Sequence, residues 1–452
     1  MSAPHANARS LEILKPAGLE VALRLEQAPE LAKALLGAMP GWPLEAVQAA
    51  RSLCPAPSEE ALTAWREANG YAQAVPGRAH PRRLSGPATA AASLIADLID
   101  RLLESRPHQS GLHCAAVEIG GRLVLFPATH RSGKSLLSAA FAAAGYRVFA
   151  AAGYRVFADD VLMLSDDEGD KGGDKDGSRG QGRAPGESMG KPMGEALGIA
   201  PRLRLPLPSH LPADLAAFIT AHDGVSDERY HYLALSDDRL AGHGERLPIG
   251  AIVMLDRVPG TPAPSLTRLS PGDGLLRLLG QSLAGDAHDP GRLVERLLPM
   301  MRGLPCRLLC YDDPKAAVER VVAGLADAER GEAGLIDSPL DEAGRCPPAG
   351  ATERASAIGV PGAAWRRRPV EAEYPLGEEH FLVDPRGGVH RLSAVAAGIW
   401  RLLELDALSL SEVVALLAER FPTVESARLA RDVARLFDDL AAAELIAPDV
   451  ER

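Results

Sequence analysis

Apolar residues recur at helical spacing in two long segments of the chain. Residues 89–105 (TAAASLIADLIDRLLES) carry apolar side chains three and four positions apart, which predicts an amphipathic helix. Residues 19–39 show similar spacing and are also predicted to be helical. Prolines and glycines interrupt the remainder of residues 1–88, so this stretch is predicted to be a mixed region of short elements, to which no chemistry can be assigned.

Strand patterns follow this first long helix. Residues 112–128 (LHCAAVEIGGRLVLFPA) form two β-rich runs separated by Gly120 and Gly121, which predicts a hairpin ending in a buried strand. Further elements are predicted in the order strand, helix, strand, helix at 249–257, 290–302, 306–313 and 314–329.

Two segments differ in composition from these elements. Residues 165–198 hold ten glycines and thirteen charged residues in 34 positions, too little apolar surface to offset chain ordering, and are predicted to be a disordered loop. Residues 330–363 are rich in Gly, Pro and Ala and are predicted to be a linker. The predicted domains are therefore a region at 1–88, a larger domain at 89–329 and a C-terminal domain at 364–452.

A short tandem duplication lies inside the larger domain. The octapeptide AAGYRVFA at 143–150 recurs unchanged at 151–158, and the repeat is too short for a solenoid unit of about 20 residues or more. The second copy is predicted to supply a strand at 153–158 that leads into Asp159. The first copy either adds roughly two turns to the preceding helix or bulges as a loop.

Composition and charge exclude several partners. The chain of 452 residues is 46% hydrophobic and 24% charged, which is typical of soluble globular proteins. A net charge of −11 and an aromatic content of 4% argue against nucleic acid and anionic membranes as partners. No apolar run approaches the roughly 20 residues of a membrane span, and no signal peptide is recognisable. Cys306 and Cys310 lack a second Cys/His pair that would complete a zinc site, so reduced cytoplasmic thiols are expected.

The segment 123–145 (LVLFPATHRSGKSLLSAAFAAAG) has the order of a phosphate-binding loop. A buried strand pattern precedes Gly-Lys-Ser, and an Ala/Leu-rich helix pattern follows it. Loop amides and the helix N-terminus present partial positive charge to phosphate oxygens, while Lys134 would neutralise phosphates and Ser135 would bind Mg²⁺. The first glycine of the usual motif is replaced by Ala128. The predicted nucleotide-binding residues are Ala128, Thr129, His130, Arg131, Ser132, Gly133, Lys134 and Ser135.

An acidic pair follows the next predicted strand. Asp159 and Asp160 separate YRVFA from VLML, and a sheet would place both carboxylates beside the phosphate loop. One carboxylate would hold Mg²⁺ with Ser135, and the other would accept the proton of an attacking hydroxyl. We assign the metal to Ser135 and Asp160, and a catalytic role to Asp159, Asp160 and Lys134. A turn-capping role for a single Asp is the plain alternative.

This arrangement resembles the HPr kinase/phosphorylase family over about residues 89–325. The resemblance rests on a histidine upstream of the loop (His113), the loop at 128–135 and the acidic pair. It implies an α/β P-loop fold related to phosphoenolpyruvate carboxykinase, phosphorylation of a serine hydroxyl with ATP and Mg²⁺, a catalytic role for His113 and a homo-oligomer. Arg202 and Arg204 are interpreted as solvent-facing strand residues rather than phosphate contacts.

The C-terminal region shows a second, independent pattern. Residues 366–404 predict a β-hairpin with its turn at 384–388 and then a helix, and residues 408–422 and 425–446 predict two more helices. Ser393 and Ser409 are predicted helix caps, the latter in a capping box.

This order of elements resembles the PqqD-like domains of peptide-maturation systems over nearly all of residues 365–448. The resemblance implies a small α+β winged-helix-like domain that binds a leader peptide as an added strand at residues 376–392. DNA binding is the alternative for such a fold, but the last helix carries no basic stripe.

Together these patterns predict a kinase of HPr-kinase type that phosphorylates a Ser or Thr hydroxyl on a precursor peptide or protein. Capture by the C-terminal domain would raise the local concentration of that substrate at the active site. Two alternatives stay open: a non-catalytic nucleotide-binding chaperone that serves a peptide-maturation enzyme, and a kinase that acts on a small molecule.

Overall fold

A computed structural model describes residues 11–47, 61–74, 79–128, 132–145, 154–166, 191–283, 289–329 and 363–449. The chain forms two compact units. The first comprises Met1–Ser270, Leu276–His288 and Gly303–Asp337, and the second comprises Pro271–Leu275, Asp289–Arg302 and Ser338–Arg452. None of the helices in the described ranges combines the length and apolarity that a membrane crossing requires.

A six-stranded sheet and two helices form the N-terminal layer of the first unit. The sheet order is β3-β1-β2-β4-β5-β6, and α2 confirms the predicted helix at 89–105. The elements are β1 (Leu11–Pro16), β2 (Leu23–Glu26), α1 (Pro29–Ala38), β3 (Leu44–Ala46), β4 (Leu62–Glu67), β5 (Gly70–Gln73), β6 (Arg82–Leu84) and α2 (Pro87–Ser105).

The helix predicted over 19–39 is wrong in its first half. Residues 23–26 form strand β2, and only Pro29–Ala38 are helical. Val21, Leu23 and Leu25 are buried while the residues between them are only partly buried, a two-residue period that fits a strand.

A ten-stranded mixed sheet forms the centre of the first unit. Its main path is β10-β8-β9-β16-β12-β11-β7-β18, with β19 beside β16 and β17 beside β19. The strands are β7 (Ser110–Leu112), β8 (Cys114–Ile119), β9 (Arg122–Pro127), β10 (Arg155–Ala158), β11 (Leu162–Asp166), β12 (Pro192–Glu195), β16 (Arg246–Arg257), β17 (Ser265–Arg268), β18 (Ser282–Leu283) and β19 (Cys306–Tyr311).

Strand direction brings the candidate residues to one edge of this sheet. β8 is antiparallel to both β9 and β10, so β9 and β10 run in the same direction, and β9, β16 and β19 are parallel neighbours. Because carboxyl ends of co-directional strands lie at one edge, the residues after β9, β10, β16 and β19 meet there. Both the predicted hairpin at 112–128 and the strand at 153–158 are confirmed.

The segment predicted to be disordered begins and ends in paired strands. β11 and β12 are antiparallel neighbours, with Met163 opposite Glu195. The prediction for 165–198 is therefore wrong at both ends, because Leu164 and Ala196 are buried beside the polar positions that dominate the composition. Residues 167–190 lie outside the described residues, as do 146–153 of the duplication and 330–362 of the predicted linker.

The remaining elements of this unit cover the central sheet. A three-stranded sheet has the order β13-β15-β14, and the helix α3 packs against α7 and α4. The bounds are α3 (Lys134–Gly145), β13 (Arg202–Arg204), α4 (Ala213–Ala221), β14 (Asp223–Ser226), β15 (Tyr230–Leu233) and α7 (Pro314–Glu329). Helix α5 (Pro271–Leu279) belongs to the second unit up to Leu275, and α6 (Pro290–Gly303) belongs to the second unit up to Arg302. α6 and α7 confirm the helices predicted at 290–302 and 314–329.

The second unit has the predicted hairpin and three helices. Its two small sheets have the orders β24-β20-β25 and β21-β22-β23, and Trp400 and Phe437 are fully buried in its core. Ser393 caps α8, and Ser409 with Glu412 forms the predicted capping box of α9. The bounds are β20 (Ala364–Arg367), β21 (Ala372–Leu376), β22 (Glu379–Val383), β23 (Val389–Leu392), α8 (Ala394–Leu405), β24 (Leu408–Ser409), α9 (Leu410–Arg420), α10 (Ser426–Ala442) and β25 (Ile446–Pro448).

Candidate functional site

The candidate phosphate loop (residues 128–135) connects β9 to α3. Strand β9 is buried up to Pro127, Ala128 is buried after it, and α3 begins at Lys134. The Lys134 Nζ atom donates a hydrogen bond to the carbonyl oxygen of Ala128 at 2.8 Å, which folds the lysine side chain back over the loop. Thr129, His130 and Arg131 lie outside the described residues.

Gly133 occupies a backbone position that suits only glycine. Its φ is +89°, and a Cβ atom there would lie 2.8 Å from the hydroxyl oxygen of Tyr311. The Tyr311 hydroxyl, buried at the end of β19, donates to the carbonyl oxygen of Ser132 at 2.9 Å. Strand β19 thus supports the loop from behind, which fixes the backbone that would face phosphate.

Gly133→Ala is expected to disrupt the loop more than a positive φ alone would. The substitution adds a clash with Tyr311 to backbone strain of about 1–3 kcal/mol, so urea denaturation should show a lower free energy of unfolding. Gly120→Ala is the matched control, because Gly120 has a φ of +60° but open space around it. Equal losses in the two variants would contradict the proposed support by Tyr311.

Asp159 is buried directly behind α3. Its Oδ2 atom accepts a hydrogen bond from the backbone N–H of Arg202 at 3.0 Å, and its Oδ1 atom is buried without a hydrogen-bond partner among the described residues. Burial raises the pKa of Asp159, and this rise is opposed by the Arg202 amide and by the hydroxyls of Ser135 and Ser138, which face the carboxylate. An ionised Asp159 therefore has an unmet need for a cation.

Asp160 is held by a guanidinium and an imidazole. Its Oδ2 atom accepts from the Arg202 guanidinium at 2.9 Å, and its Oδ1 atom lies 3.2 Å from the His113 Nε2 atom. Burial raises the pKa of Asp160, but the His113 hydrogen bond and the Arg202 charge outweigh it and lower the pKa to about 2. Asp160 is therefore a carboxylate at neutral pH.

Gln281 orients the His113 ring from the other side. The Nδ1 atom of His113 lies 3.0 Å from Gln281 Oε1, and Gln281 Nε2 donates to the Gly280 carbonyl oxygen at 3.0 Å, which fixes the amide orientation. Both ring nitrogens of His113 thus face oxygen acceptors. The result is a continuous chain from Gln281 through His113 and Asp160 to Arg202.

The decrease in the free energy of unfolding at acidic pH should depend on Asp160. Because its folded-state pKa of about 2 lies below the ordinary 3.8, the ionised group stabilises the fold above pH 3.8, and this contribution disappears as the pH falls towards 2. Asp160→Asn has no titrating group there, so its unfolding free energy should fall less steeply with acid in this window. Parallel curves in urea titrations from pH 5 to pH 2 would contradict the assignment.

These groups line a cleft of about 370 Å³ at the edge of the central sheet. Four cationic side chains and two carboxylates line it, although the whole chain carries a net charge of −11. This local excess of positive charge suits a polyphosphate anion. The charged lining residues are Lys134, Arg202, Arg204, Arg257, Asp159 and Asp160.

Arg257, at the end of β16, is one of the cationic residues that line the cleft. Its guanidinium contacts Asp312 at 3.3 Å and the Nε2 atom of His210 at 2.8 Å. Its Nε atom is buried and has no hydrogen-bond partner in the described part of the chain. Arg257 therefore lines the cleft with a guanidinium that has one buried N–H donor still unpaired among the described residues.

The structure brings together the predicted site residues that it describes. Ser132, Gly133, Lys134, Ser135, Asp159, Asp160 and His113 all line the cleft, and Ala128 lies directly behind it as the acceptor of the Lys134 hydrogen bond. The interpretation of Arg202 as a solvent-facing residue is wrong, because it binds Asp160 and stacks over the Tyr230 ring at 4.9 Å. Arg204 is exposed as expected. Sequence reasoning missed Arg257, Gln281 and Tyr311.

The donor set fits magnesium. Ser135 and Asp159 supply hard oxygen ligands that face one another, and the buried Oδ1 atom of Asp159 has no other partner among the described residues. In the described ranges no cluster of three or more His, Cys, Asp or Glu side chains could hold a metal alone. Mg²⁺ commonly binds through one or two carboxylates plus substrate phosphates, so two protein ligands are sufficient.

Comparisons with known proteins bear on the two units separately. Among curated proteins, none matches the chain. Among solved structures, the chain is similar to "Structure of the Hpr(Ser) kinase/phosphatase from Coxiella burnetii", with 11% identity, a TM-score of 0.23 and coverage of 49% of this chain and 98% of that one. A likeness at this TM-score carries no weight for function.

Residues 379–446 match the family described as "Coenzyme PQQ synthesis protein D (PqqD)". The second unit therefore contains a PqqD-like domain.

Proposed function

We propose that the protein is an ATP-dependent kinase that phosphorylates a Ser or Thr hydroxyl on a peptide or protein held by its C-terminal unit. One observation carries this proposal above the others. Lys134, Ser135 and Asp159 line the same cationic cleft, and the buried Oδ1 atom of Asp159 has no hydrogen-bond partner among the described residues. A cation bound with phosphate in the cleft would supply the partner that this carboxylate oxygen lacks.

The cleft residues divide into phosphate binding and positioning. The amides of the candidate phosphate loop and the N-terminus of α3 would bind the β- and γ-phosphates, and Lys134 would turn from the Ala128 carbonyl towards them. Ser135 and Asp159 would hold Mg²⁺, which when bound neutralises charge on the β- and γ-phosphate oxygens. Arg257 would donate its free Nε–H to a phosphate oxygen.

The transfer step needs a hydroxyl beside Asp160. The acceptor oxygen forms a bond to the γ-phosphorus, the bond from that phosphorus to the β–γ bridging oxygen breaks, and the electron pair leaves with ADP. The hydroxyl proton passes to Asp160, which Arg202 and His113 hold in the ionised form. Because the transition state is loose, a weakly basic carboxylate is sufficient.

The C-terminal unit offers a strand edge for a peptide. Among the described residues, β23 pairs only with β22, whereas the opposite edge strand β21 is covered by α6, since Arg302 donates to the Pro375 carbonyl at 2.6 Å. β23 leads into a groove of about 430 Å³ between α8, α9 and α10, lined by Val395, Phe421 and Leu429 among others. A peptide added to β23 gains main-chain hydrogen bonds and places apolar side chains in this groove.

Label transfer tests the proposed activity directly. The full chain is incubated with Mg²⁺, ATP labelled in the γ-phosphate and a short synthetic peptide that contains Ser and Thr, and the acceptor residue is located by mass spectrometry. Label on a Ser or Thr of that peptide is the expected result. Nucleotide binding without any label transfer would contradict a kinase and leave the non-catalytic chaperone.

A further inference from the structure

A second pocket of about 500 Å³ shares His113 and Asp160 with the cationic cleft. Its other walls are one face of α2, residues 280–283 and Val161. Within the described ranges neither lysine nor arginine lines it, in contrast to the cleft. The two cavities therefore share the proposed base and its histidine partner, and they differ in chemistry.

The face of α2 in this pocket is apolar with one acid at its end. Ala92, Ile95, Ala96 and Ile99 lie three or four positions apart and form the apolar wall, and Asp100 follows Ala96 by one helical turn. Asp100 is exposed. Burial raises the pKa of Asp100, and the charges of Asp97 and Glu104 add to this rise while those of Arg101 and Arg82 oppose it.

In-line transfer requires donor and acceptor to approach the γ-phosphorus from opposite directions. The two cavities meet at Asp160, so a nucleotide in the cationic cleft and a hydroxyl in the second pocket would both lie beside the proposed base. A volume of about 500 Å³ is in the range that holds a drug-sized ligand, which is also the size of a short peptide segment.

We propose that this second pocket is the acceptor site and that it takes a peptide segment in which the hydroxyl residue is flanked by an aliphatic side chain and followed by a basic one. The aliphatic side chain packs on Ile95 and Ile99, and the basic side chain pairs with Asp100. The role of this pocket as an acceptor site rests on the proposed kinase activity. Peptide binding to the pocket, however, can be measured without phosphoryl transfer.

The test uses two synthetic peptides, acetylated and amidated, with the sequences Leu-Ser-Leu-Lys and Leu-Ser-Leu-Glu. Each is titrated calorimetrically into the full chain saturated with Mg²⁺ and a non-hydrolysable ATP analogue. The lysine peptide should bind about tenfold more tightly, since a like charge beside Asp100 is unfavourable. Asp100→Asn should reduce this preference to about twofold or less.

Ala96→Trp should fill the pocket and weaken the lysine peptide about tenfold or more, while affinity for the ATP analogue stays within about twofold and shows that the protein is folded. Ala217→Trp is the matched control, an exposed alanine on α4 outside the pocket, and should change neither affinity. No binding of either peptide to the wild type, or full binding by Ala96→Trp, would overturn the acceptor pocket. Peptide binding without label transfer would retain the pocket and overturn the kinase instead.

Discussion

Replacing Lys134 by methionine should lower phosphoryl transfer from ATP by about 10²- to 10³-fold, the usual effect of removing one charge-stabilising donor at a reacting centre. Methionine nearly matches the lysine stem in length and flexibility, so the buried position stays filled. The fold should survive, because burial already lowers the pKa of Lys134 and its charge is costly there. Rates are measured with γ-labelled ATP under saturating peptide.

Lys315→Met is the appropriate control for this variant. Lys315 lies on α7, is half-exposed and pairs with Asp214 at 3.0 Å, away from the cationic cleft. Its replacement should leave transfer within about twofold of wild type, since exposed ion pairs contribute little. A Lys134→Met protein as active as Lys315→Met would remove the candidate phosphate loop from the mechanism.

Replacing Asp159 or Asp160 by asparagine should impair different steps, the first Mg²⁺-dependent ATP binding and the second phosphoryl transfer. Asp159→Asn should weaken Mg²⁺-dependent ATP binding, because the buried carboxylate beside Ser135 loses its charge. Asp160→Asn should keep Mg²⁺-dependent binding but lose transfer by about 10²- to 10⁴-fold, the range for a positioned general base. Binding is followed by calorimetry at several Mg²⁺ concentrations and transfer by label incorporation.

Asp238→Asn supplies the baseline for this pair, because Asp238 is exposed and distant from the cleft lining. It should behave as wild type in both assays. If Asp160→Asn instead abolished Mg²⁺ dependence while Asp159→Asn did not, the metal would belong to Ser135 and Asp160, as the sequence alone suggested. Equal effects of the two variants would mean that the carboxylates act as one unit.

Local patterns accounted for the part of the site that is continuous in sequence. The hairpin at 112–128, the Gly-Lys-Ser sequence at the start of α3 and the acidic pair after β10 can each be predicted from neighbouring residues. The spacing of such elements is set by short connections, so the sequence suffices to place them near each other. The capping box at Ser409 was predictable for the same reason.

Contacts between residues far apart in the sequence could not be predicted from the sequence. Arg202 lies 42 positions after Asp160 and sits in an alternating Arg-Leu-Arg strand, in which either face could be solvent-exposed. Gln281 reaches His113 across 168 positions, and Tyr311 reaches Ser132 across 179. Each contact depends on sheet order, which a single sequence does not determine.

Two predictions were wrong because the apolar pattern was judged over a long segment rather than residue by residue. Residues 19–26 satisfy helical spacing loosely, but strict alternation of Val21, Leu23 and Leu25 fits pairing with β1 and β4. The charged composition of 165–198 concealed strand residues at both ends, namely the end of β11 at Ser165 and Asp166 and strand β12 at Pro192–Glu195. Short buried strands contribute too few apolar residues to change the composition of a 34-residue segment.

The central claim is that a nucleoside triphosphate binds at Gly133 to Ser135 with Mg²⁺ held against Asp159. Calorimetric titration of ATP into the full chain, with and without Mg²⁺, tests this claim most directly. The account predicts one site per chain, at least about tenfold tighter with Mg²⁺, and loss of that difference in Asp159→Asn. ATP that fails to bind, or binds equally well without Mg²⁺ and in Asp159→Asn, would contradict it.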